Sequence, residues 1–256
     1  MKMKGKILGV LLFTALLVGV IYFSLITDNG VKNKIGVIEV TGNNFLSGDD
    51  YLKFTELNNK NDYRFLSLHI IKDRFEKHPF VEKAEVKFKS KDEVMVKVTE
   101  KKFEGIIVKD TTHFLITDNF ELVPVISPFK NLDVPVITNP YMKRMTAGFM
   151  KLKNDETKAA FKIIETAKLI DNDLYSNLSE VNLRNGRDII LTFKGFDFPV
   201  ILGRGDEVRK VVYLSKIWNK FRNNTSAELP INYVDLRFGK QIYIGMSDES
   251  NAEKGI

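Results

Sequence analysis

The sequence predicts an α+β protein with a single N-terminal transmembrane helix, a small β-α-α-β-β domain and a mixed β-domain with flanking helices. Three observations predict this class: an uncharged apolar run near the N-terminus, two short helical patterns set between β-branched segments, and closely spaced strand patterns after residue 102. The composition agrees, because 44% hydrophobic and 11% aromatic residues are typical of a globular chain rather than a disordered one.

The apolar run, residues 7–26, contains no charged residue. A helix that rises about 1.5 Å per residue needs about 20 apolar residues to cross the hydrocarbon core of a bilayer. The run is therefore long enough to span once. A cleaved signal peptide and a buried core helix are the alternatives, but the first lacks its small-residue cleavage site and the second lacks a polar face.

Lysines at positions 2, 4 and 6 set the predicted orientation, because positive flanks stay on the cytoplasmic side. Residues 1–6 are therefore predicted to be a cytoplasmic tail, and the bulk of the chain is predicted to lie outside the cytoplasm. Residues 27–34 are polar and predict a short linker. The chain has no cysteine, so the exterior part must be stabilised by packing alone.

Residues 35–102 predict the small domain. Ser47 has the pattern of a helix N-cap, and Pro79 ends a second helix that begins near Ser67. The predicted elements, in order, are a strand at 35–40, helices at about 47–57 and 67–77, and strands at 84–88 and 94–98 that form an antiparallel hairpin.

Residues 103–246 predict the β-domain, and residues 247–256 predict a flexible tail. The predicted strands of the β-domain are 105–108, 114–117, 121–126, 178–183, 188–193, 198–202, 231–238 and 241–246, and its predicted helices are 156–170 and 207–221. Gly203-Arg204-Gly205 lies between a strand and a helix, where a phosphate-binding loop would lie. It lacks a third glycine and a G-K-[ST] sequence, so a tight turn is the better interpretation.

The sequence offers no catalytic, cofactor or metal site. The histidines His69, His78 and His113 are scattered without zinc-ligand spacing, and exposed or capping roles are predicted for them. No serine nucleophile elbow is present. Outside the lysine-rich tail, 36 Lys and Arg face 33 Asp and Glu, so the net charge gives no support for nucleic-acid binding.

The remaining candidate is a surface for another protein. A final strand at a sheet edge presents unpaired N–H and C=O groups that can pair with a strand of a second chain. Ile242 and Ile244 fall on one side of the last predicted strand and Tyr243 on the other. The alternative is that one face of this strand simply packs in the core, because a period of two always buries one face.

Three motifs give the chain a family resemblance from the anchor to about Met246. They are Val40-Thr41-Gly42-Asn43, then His78-Pro79-Phe80-Val81-Glu82-Lys83-Ala84-Glu85-Val86 with Glu100-Lys101, and finally Tyr233-Val234-Asp235-Leu236-Arg237-Phe238. In this order they resemble the bacterial cell-division family FtsQ, called DivIB in Gram-positive bacteria. The resemblance implies that residues 35–102 form a POTRA domain and residues 103–246 an FtsQ-type β-domain.

The resemblance also implies function. The family has no known enzymatic activity and scaffolds the divisome at the septum, where it binds membrane partners of the FtsB–FtsL type. Carried over by position, the implied partner-binding residues are Phe238, Gly239, Ile242, Tyr243 and Ile244. No small-molecule substrate is implied.

Two other functions are weighed against this one. A POTRA protein of outer-membrane assembly would need a membrane barrel of many alternating strands, and about 150 residues with two helical segments cannot supply it. A membrane-anchored hydrolase of the envelope would need a nucleophile–base pair or a metal cluster, and no residues are spaced for either.

Overall fold

The computed structural model describes residues 2–27, 34–109, 112–126, 132–141, 151–223, 231–239 and 241–246. Within these ranges the strands form two sheets, one of three strands and one of nine. The predictions for the 247–256 tail, for most of the 27–34 linker and for most of the basic stretch 141–153 concern residues outside this description.

Helix α1 occupies Lys2–Thr27. Its 26 residues extend about 39 Å at 1.5 Å per residue. Side chains are described for residues 11–23, and large apolar ones such as Leu12, Phe13 and Leu16 are exposed. Within the described residues, no helix combines the length and the apolar character that a membrane crossing requires. A transmembrane role for residues 7–26 therefore stays a prediction.

The smaller sheet has the predicted β-α-α-β-β order. Strand β3 lies at its centre, parallel to β1 and antiparallel to β2. The elements are β1 (Val37–Thr41), α2 (Gly48–Phe54), a 3-10 turn (Lys60–Phe65), α3 (Leu68–Glu76), β2 (Val81–Phe88) and β3 (Glu93–Glu100). This order confirms the α+β class for the first part of the chain.

Two serines begin the helices of this unit. The hydroxyl of Ser47 accepts a hydrogen bond from the backbone N–H of Asp50 at 3.2 Å, and that of Ser67 accepts one from Ile70 at 3.3 Å. Each such cap stabilises a helix by about 1 kcal/mol. The capped helices lay one apolar face on the sheet, where the fully buried side chains include Tyr51, Ile71, Phe75, Phe80, Val94 and Val96.

The larger sheet is mixed, with the order β12-β11-β10-β9-β8-β7-β4-β5-β6. Its elements are β4 (Phe103–Lys109), β5 (Thr112–Thr117), β6 (Leu122–Pro124), β7 (Val136–Thr138), α4 (Asp155–Ile170), α5 (Asn172–Asn177), β8 (Leu178–Asn182), a 3-10 turn (Arg184–Gly186), β9 (Ile190–Phe193), β10 (Val200–Ile201), α6 (Glu207–Asn223), β11 (Ile231–Asp235) and β12 (Tyr243–Met246). Strands β4, β7 and β8 run parallel, as do β10 and β11.

Helices α4 and α6 pack together against the larger sheet. Their buried side chains include Ile164 and Trp218, which share one apolar cluster with Leu191 and Val234 from the strands. The indole N–H of Trp218 donates to Asp173 at 2.7 Å, so the largest buried side chain keeps its polar atom satisfied.

The two sheets share apolar contacts at the predicted domain boundary. Phe103, the first residue of β4, lies 5.3 Å from Phe45 and 5.4 Å from Phe80 between ring centroids. Lys101 and Glu121 form an ion pair at 2.8 Å beside these rings. A boundary between residues 102 and 103 stays a prediction, and the core of the small unit continues across it.

The structure differs from the predicted elements in several places, among them strand β10, which has two residues where a strand was predicted at 198–202, and β12, which begins at Tyr243 where a strand was predicted at 241–246. Strand β7 and helix α5 were not predicted, because β7 has three residues between prolines and α5 is a single capped turn after α4. The strand predicted at 231–238 ends at Asp235, whose carboxylate accepts a hydrogen bond from the backbone N–H of Arg237. The tight turn predicted at Gly203–Gly205 is confirmed by positive φ angles of 68° and 74°.

Candidate functional site

Strand β12 is the terminal strand of the nine-stranded sheet. It pairs antiparallel with β11, with Ile244 opposite Val234 and Tyr243 opposite Asp235. On its other side no strand pairs with it among the described residues. The main-chain groups along this edge are therefore placed to hydrogen bond with a strand of another protein.

The chain between β11 and β12 is held by an ion-paired turn. The buried Asp235 carboxylate accepts hydrogen bonds from the backbone N–H of Arg237 at 2.9 Å and from its guanidinium at 3.0 and 2.6 Å. The same guanidinium also contacts Asp188 at 2.9 Å. Arg237 is thus fixed between two carboxylates from separate strand ends.

These contacts shift both ionisation equilibria. Burial by itself raises the pKa of the Asp235 carboxyl, but the hydrogen bonds and charge of Arg237 outweigh it and hold the pKa below its ordinary value. The two carboxylates in turn raise the pKa of Arg237. Both groups are therefore charged at neutral pH, and the turn keeps its geometry.

Aromatic side chains extend this turn onto the edge strand. The Phe238 ring lies 5.5 Å from the Arg237 guanidinium carbon and 5.1 Å from the Tyr243 ring at an interplanar angle of 75°. Both rings are about half exposed. The Tyr233 ring covers Gly245 on the same face, because a Cβ at Gly245 would lie 2.3 Å from it.

The structure brings the five predicted site residues together at this edge. Phe238, Tyr243 and Ile244 are exposed, Gly239 lies in the turn with φ +66°, and Ile242 packs partly against the core. Their role in partner binding is not tested by this geometry and stays a prediction.

Three neighbours at the edge were not predicted as site residues. Tyr233 and Met246 are 41% and 54% exposed, and Arg237 joins the site through Phe238. Their signal is present in the sequence, since Tyr233 alternates with the buried Val234 and Met246 is two residues from Ile244.

The histidines do not form a site. His69 and His113 are exposed, and His78 is buried with its Nδ1 accepting the backbone N–H of Phe80 at 3.1 Å, which fits the predicted exposed or capping roles. In the described part of the chain, no group of three or more His, Asp and Glu is arranged to hold a metal ion.

Comparison with known proteins identifies the smaller unit. Residues 33–101 match the POTRA domain of FtsQ type. The chain therefore contains an FtsQ-type POTRA domain. The match begins just before β1 and ends just after β3, so the FtsQ-type POTRA domain coincides with the three-stranded sheet and its helices.

The comparison with curated proteins extends beyond the FtsQ-type POTRA domain. A cell division protein DivIB from Clostridium tetani is 20% identical over 218 residues, which cover 85% of this chain and 77% of the relative. The chain is a distant homologue of DivIB over most of its length. The FtsQ/DivIB resemblance drawn from the three motifs is therefore confirmed.

Proposed function

We propose that this chain is a non-enzymatic, single-pass membrane scaffold of the bacterial divisome. It recruits membrane partners of the FtsB–FtsL type at the septum by adding a partner strand to β12. The observation that carries the proposal is β12 itself, an uncharged terminal strand beside two exposed aromatic rings. The DivIB homology supports a role in cell division, and the free edge of β12 supports binding by strand addition.

The anchor in this proposal is the uncharged run at residues 7–26. It lies within the 26-residue helix α1, whose large described side chains are apolar and exposed. Exposed leucine and phenylalanine side chains are stabilised by lipid rather than by water. The preceding lysines at positions 2, 4 and 6 favour a cytoplasmic N-terminus, which leaves both sheets outside the cytoplasm.

The geometry of the edge supports strand addition. A partner strand would gain main-chain hydrogen bonds from β12 and side-chain contacts from both of its faces. Ile244 is on the face of Val234, which is buried, and Tyr243 is on the face of Asp235 and Arg237. The partner would therefore meet an apolar surface on one side and aromatic and charged groups on the other.

Capture of a purified FtsB–FtsL complex by the full-length chain, both in detergent micelles, tests the proposal. Phe238→Asp and Ile244→Asp place a carboxylate where the incoming strand would pack, and each is expected to weaken capture about tenfold or more. Leu169→Asp is the matched control, because Leu169 is 87% exposed on α4, away from the edge.

The melting temperature is measured for each variant. Lost capture with unchanged melting for the two edge variants, together with normal capture by Leu169→Asp, supports the proposal. Capture that is equal for the wild type and both edge variants would remove the edge from the function.

A further inference from the structure

The turn between β10 and α6 lies directly against Arg237. A Cβ built on the buried Gly203 would lie 2.7 Å from Arg237 Cγ and 3.4 Å from its Cδ. Carbon atoms do not approach so closely, so the absence of a side chain at position 203 makes room for the arginine stem. The backbone of this turn therefore lies directly against the arginine stem.

The guanidinium end of Arg237 is connected to the edge strand β12 through Phe238. The guanidinium is bonded to Asp235 and Asp188 and lies against the Phe238 ring. Phe238 in turn contacts Tyr243 of β12. An unbroken series of contacts therefore joins the Gly203 turn to the edge strand through one arginine.

The turn itself is held firmly. The Arg204 side chain donates to the backbone oxygens of Arg187 at 2.6 Å and Leu183 at 2.9 Å, and it pairs with Glu156 at 2.9 Å. The ammonium of Lys210, a residue only 5% exposed, donates to the Arg204 carbonyl at 3.1 Å. Because the turn is fixed by these contacts, it can hold the arginine stem in one place.

We infer that Gly203 is a positioning residue for partner binding, acting through Arg237 to fix Phe238 for an incoming strand. This inference rests on the proposed function. A binding edge whose side chains are fixed before association loses less conformational entropy on binding, so it binds more tightly at the same contact area. Displacing the arginine stem would release Phe238 while leaving every side chain of β12 unchanged.

Gly205 provides a matched control within the same turn. Its φ of +74° resembles the +68° of Gly203, so an added Cβ meets a left-handed φ at both positions, but nothing lies within 4 Å of a Cβ at Gly205. The full-length Gly203→Ala and Gly205→Ala variants are compared in the FtsB–FtsL capture assay. We expect about tenfold weaker capture for Gly203→Ala than for Gly205→Ala at a temperature where both variants are folded, and a lower melting temperature for Gly203→Ala because its Cβ meets the arginine stem.

Arg237→Ala, combined with each variant, tests the route of the effect. Measured against Arg237→Ala alone, Gly203→Ala is expected to cause no further loss of capture and a smaller loss of melting temperature than it causes in the wild type, whereas the loss caused by Gly205→Ala stays the same. If Gly203→Ala alone does not fold, recovery of folding in the double variant reports the same coupling.

Two results distinguish the possible failures. If Phe238→Asp abolishes capture but Gly203→Ala and Gly205→Ala behave alike, the positioning role is wrong and the edge remains. If Phe238→Asp leaves capture intact, β12 is not the binding edge and the positioning role of Gly203 is excluded as well.

Discussion

We expect His78 to make the stability of the FtsQ-type POTRA domain depend on pH. The imidazole is 1% exposed, and its Nε2 has no hydrogen-bond partner among the described residues. Because Nδ1 accepts from the Phe80 N–H, the proton of the neutral ring is on Nε2. The rings of Tyr51 and Phe54 surround it at centroid distances of 4.6 and 4.3 Å. Burial, and secondly the charge of Lys101, lower the pKa of His78 to about 4.

The sign and size of the effect follow from linkage. The unfolded chain binds a proton at His78 below pH 6.5, whereas the folded chain binds it only near its pKa of about 4. Stability from this group is therefore fully present above pH 6.5 and is lost as the pH falls from 6.5 to 4. One pKa unit corresponds to 1.36 kcal/mol, which sets a total loss of about 3 kcal/mol, of which about 2 kcal/mol is lost by pH 5.

His78→Asn isolates this contribution. The asparagine side-chain oxygen can accept the Phe80 N–H in place of Nδ1, but the side chain does not titrate. Denaturant unfolding of both full-length proteins in detergent, followed by circular dichroism, gives the free energy of unfolding at several pH values. The difference between the two proteins cancels every other titrating group and is expected to change by about 2 kcal/mol from pH 7.5 to pH 5.

A flat difference across this range would refute the reasoning, because it would mean that His78 has the same pKa in both states. A change of opposite sign would place an acidic partner beside the imidazole in the folded protein.

Two further predictions concern the ends of β3 and β4. The Glu100 carboxylate accepts hydrogen bonds from the backbone N–H groups of Asn44 at 2.8 Å and Phe45 at 3.1 Å and from the Tyr51 hydroxyl at 2.6 Å. Glu100→Gln is therefore expected to lower the free energy of unfolding, measured in denaturant titrations, by about 2 kcal/mol. A loss below about 0.5 kcal/mol would contradict that role. Phe103→Ala should cost about 3–4 kcal/mol and, because its ring packs between both sheets, should shift circular dichroism and tryptophan fluorescence transitions together. Separate shifts of the two signals would show that the sheets unfold independently.

Local sequence patterns predicted most elements of the POTRA domain, because its signals are local. Ser47 and Ser67 cap their helices, and Val94, Val96 and Val98 alternate with Met95, Lys97 and Thr99 along one strand. Strand β7 gave no such signal, because three residues cannot show a period of two. It forms a strand because β4 and β8 pair with it on both sides, which is a property of the assembled sheet.

Part of the candidate site could not be predicted from local sequence patterns. Alternation places Ile244 and Tyr243 on opposite faces of the last strand, and it does so without knowledge of the sheet. The contact between Gly203 and Arg237 joins segments separated by the whole of α6, so no spacing rule indicates it. His78 has polar and proline neighbours that suggest exposure, but the ring of Phe54 and the fold of the sheet enclose it.

The edges of the two sheets differ in their protection against strand pairing. Strand β6 has three residues and ends in Pro124, which has no N–H to donate. Strand β2 carries Lys83, Glu85 and Lys87 along its solvent side, and β1 has Glu39 at its centre. Prolines, charges and short strands are the means by which proteins prevent edge pairing. Strand β12 has none of these except its short length, and its edge carries exposed apolar side chains. An unprotected edge is an aggregation risk unless a partner covers it, and this asymmetry favours β12 over the other three edges as the place where the divisome partner binds.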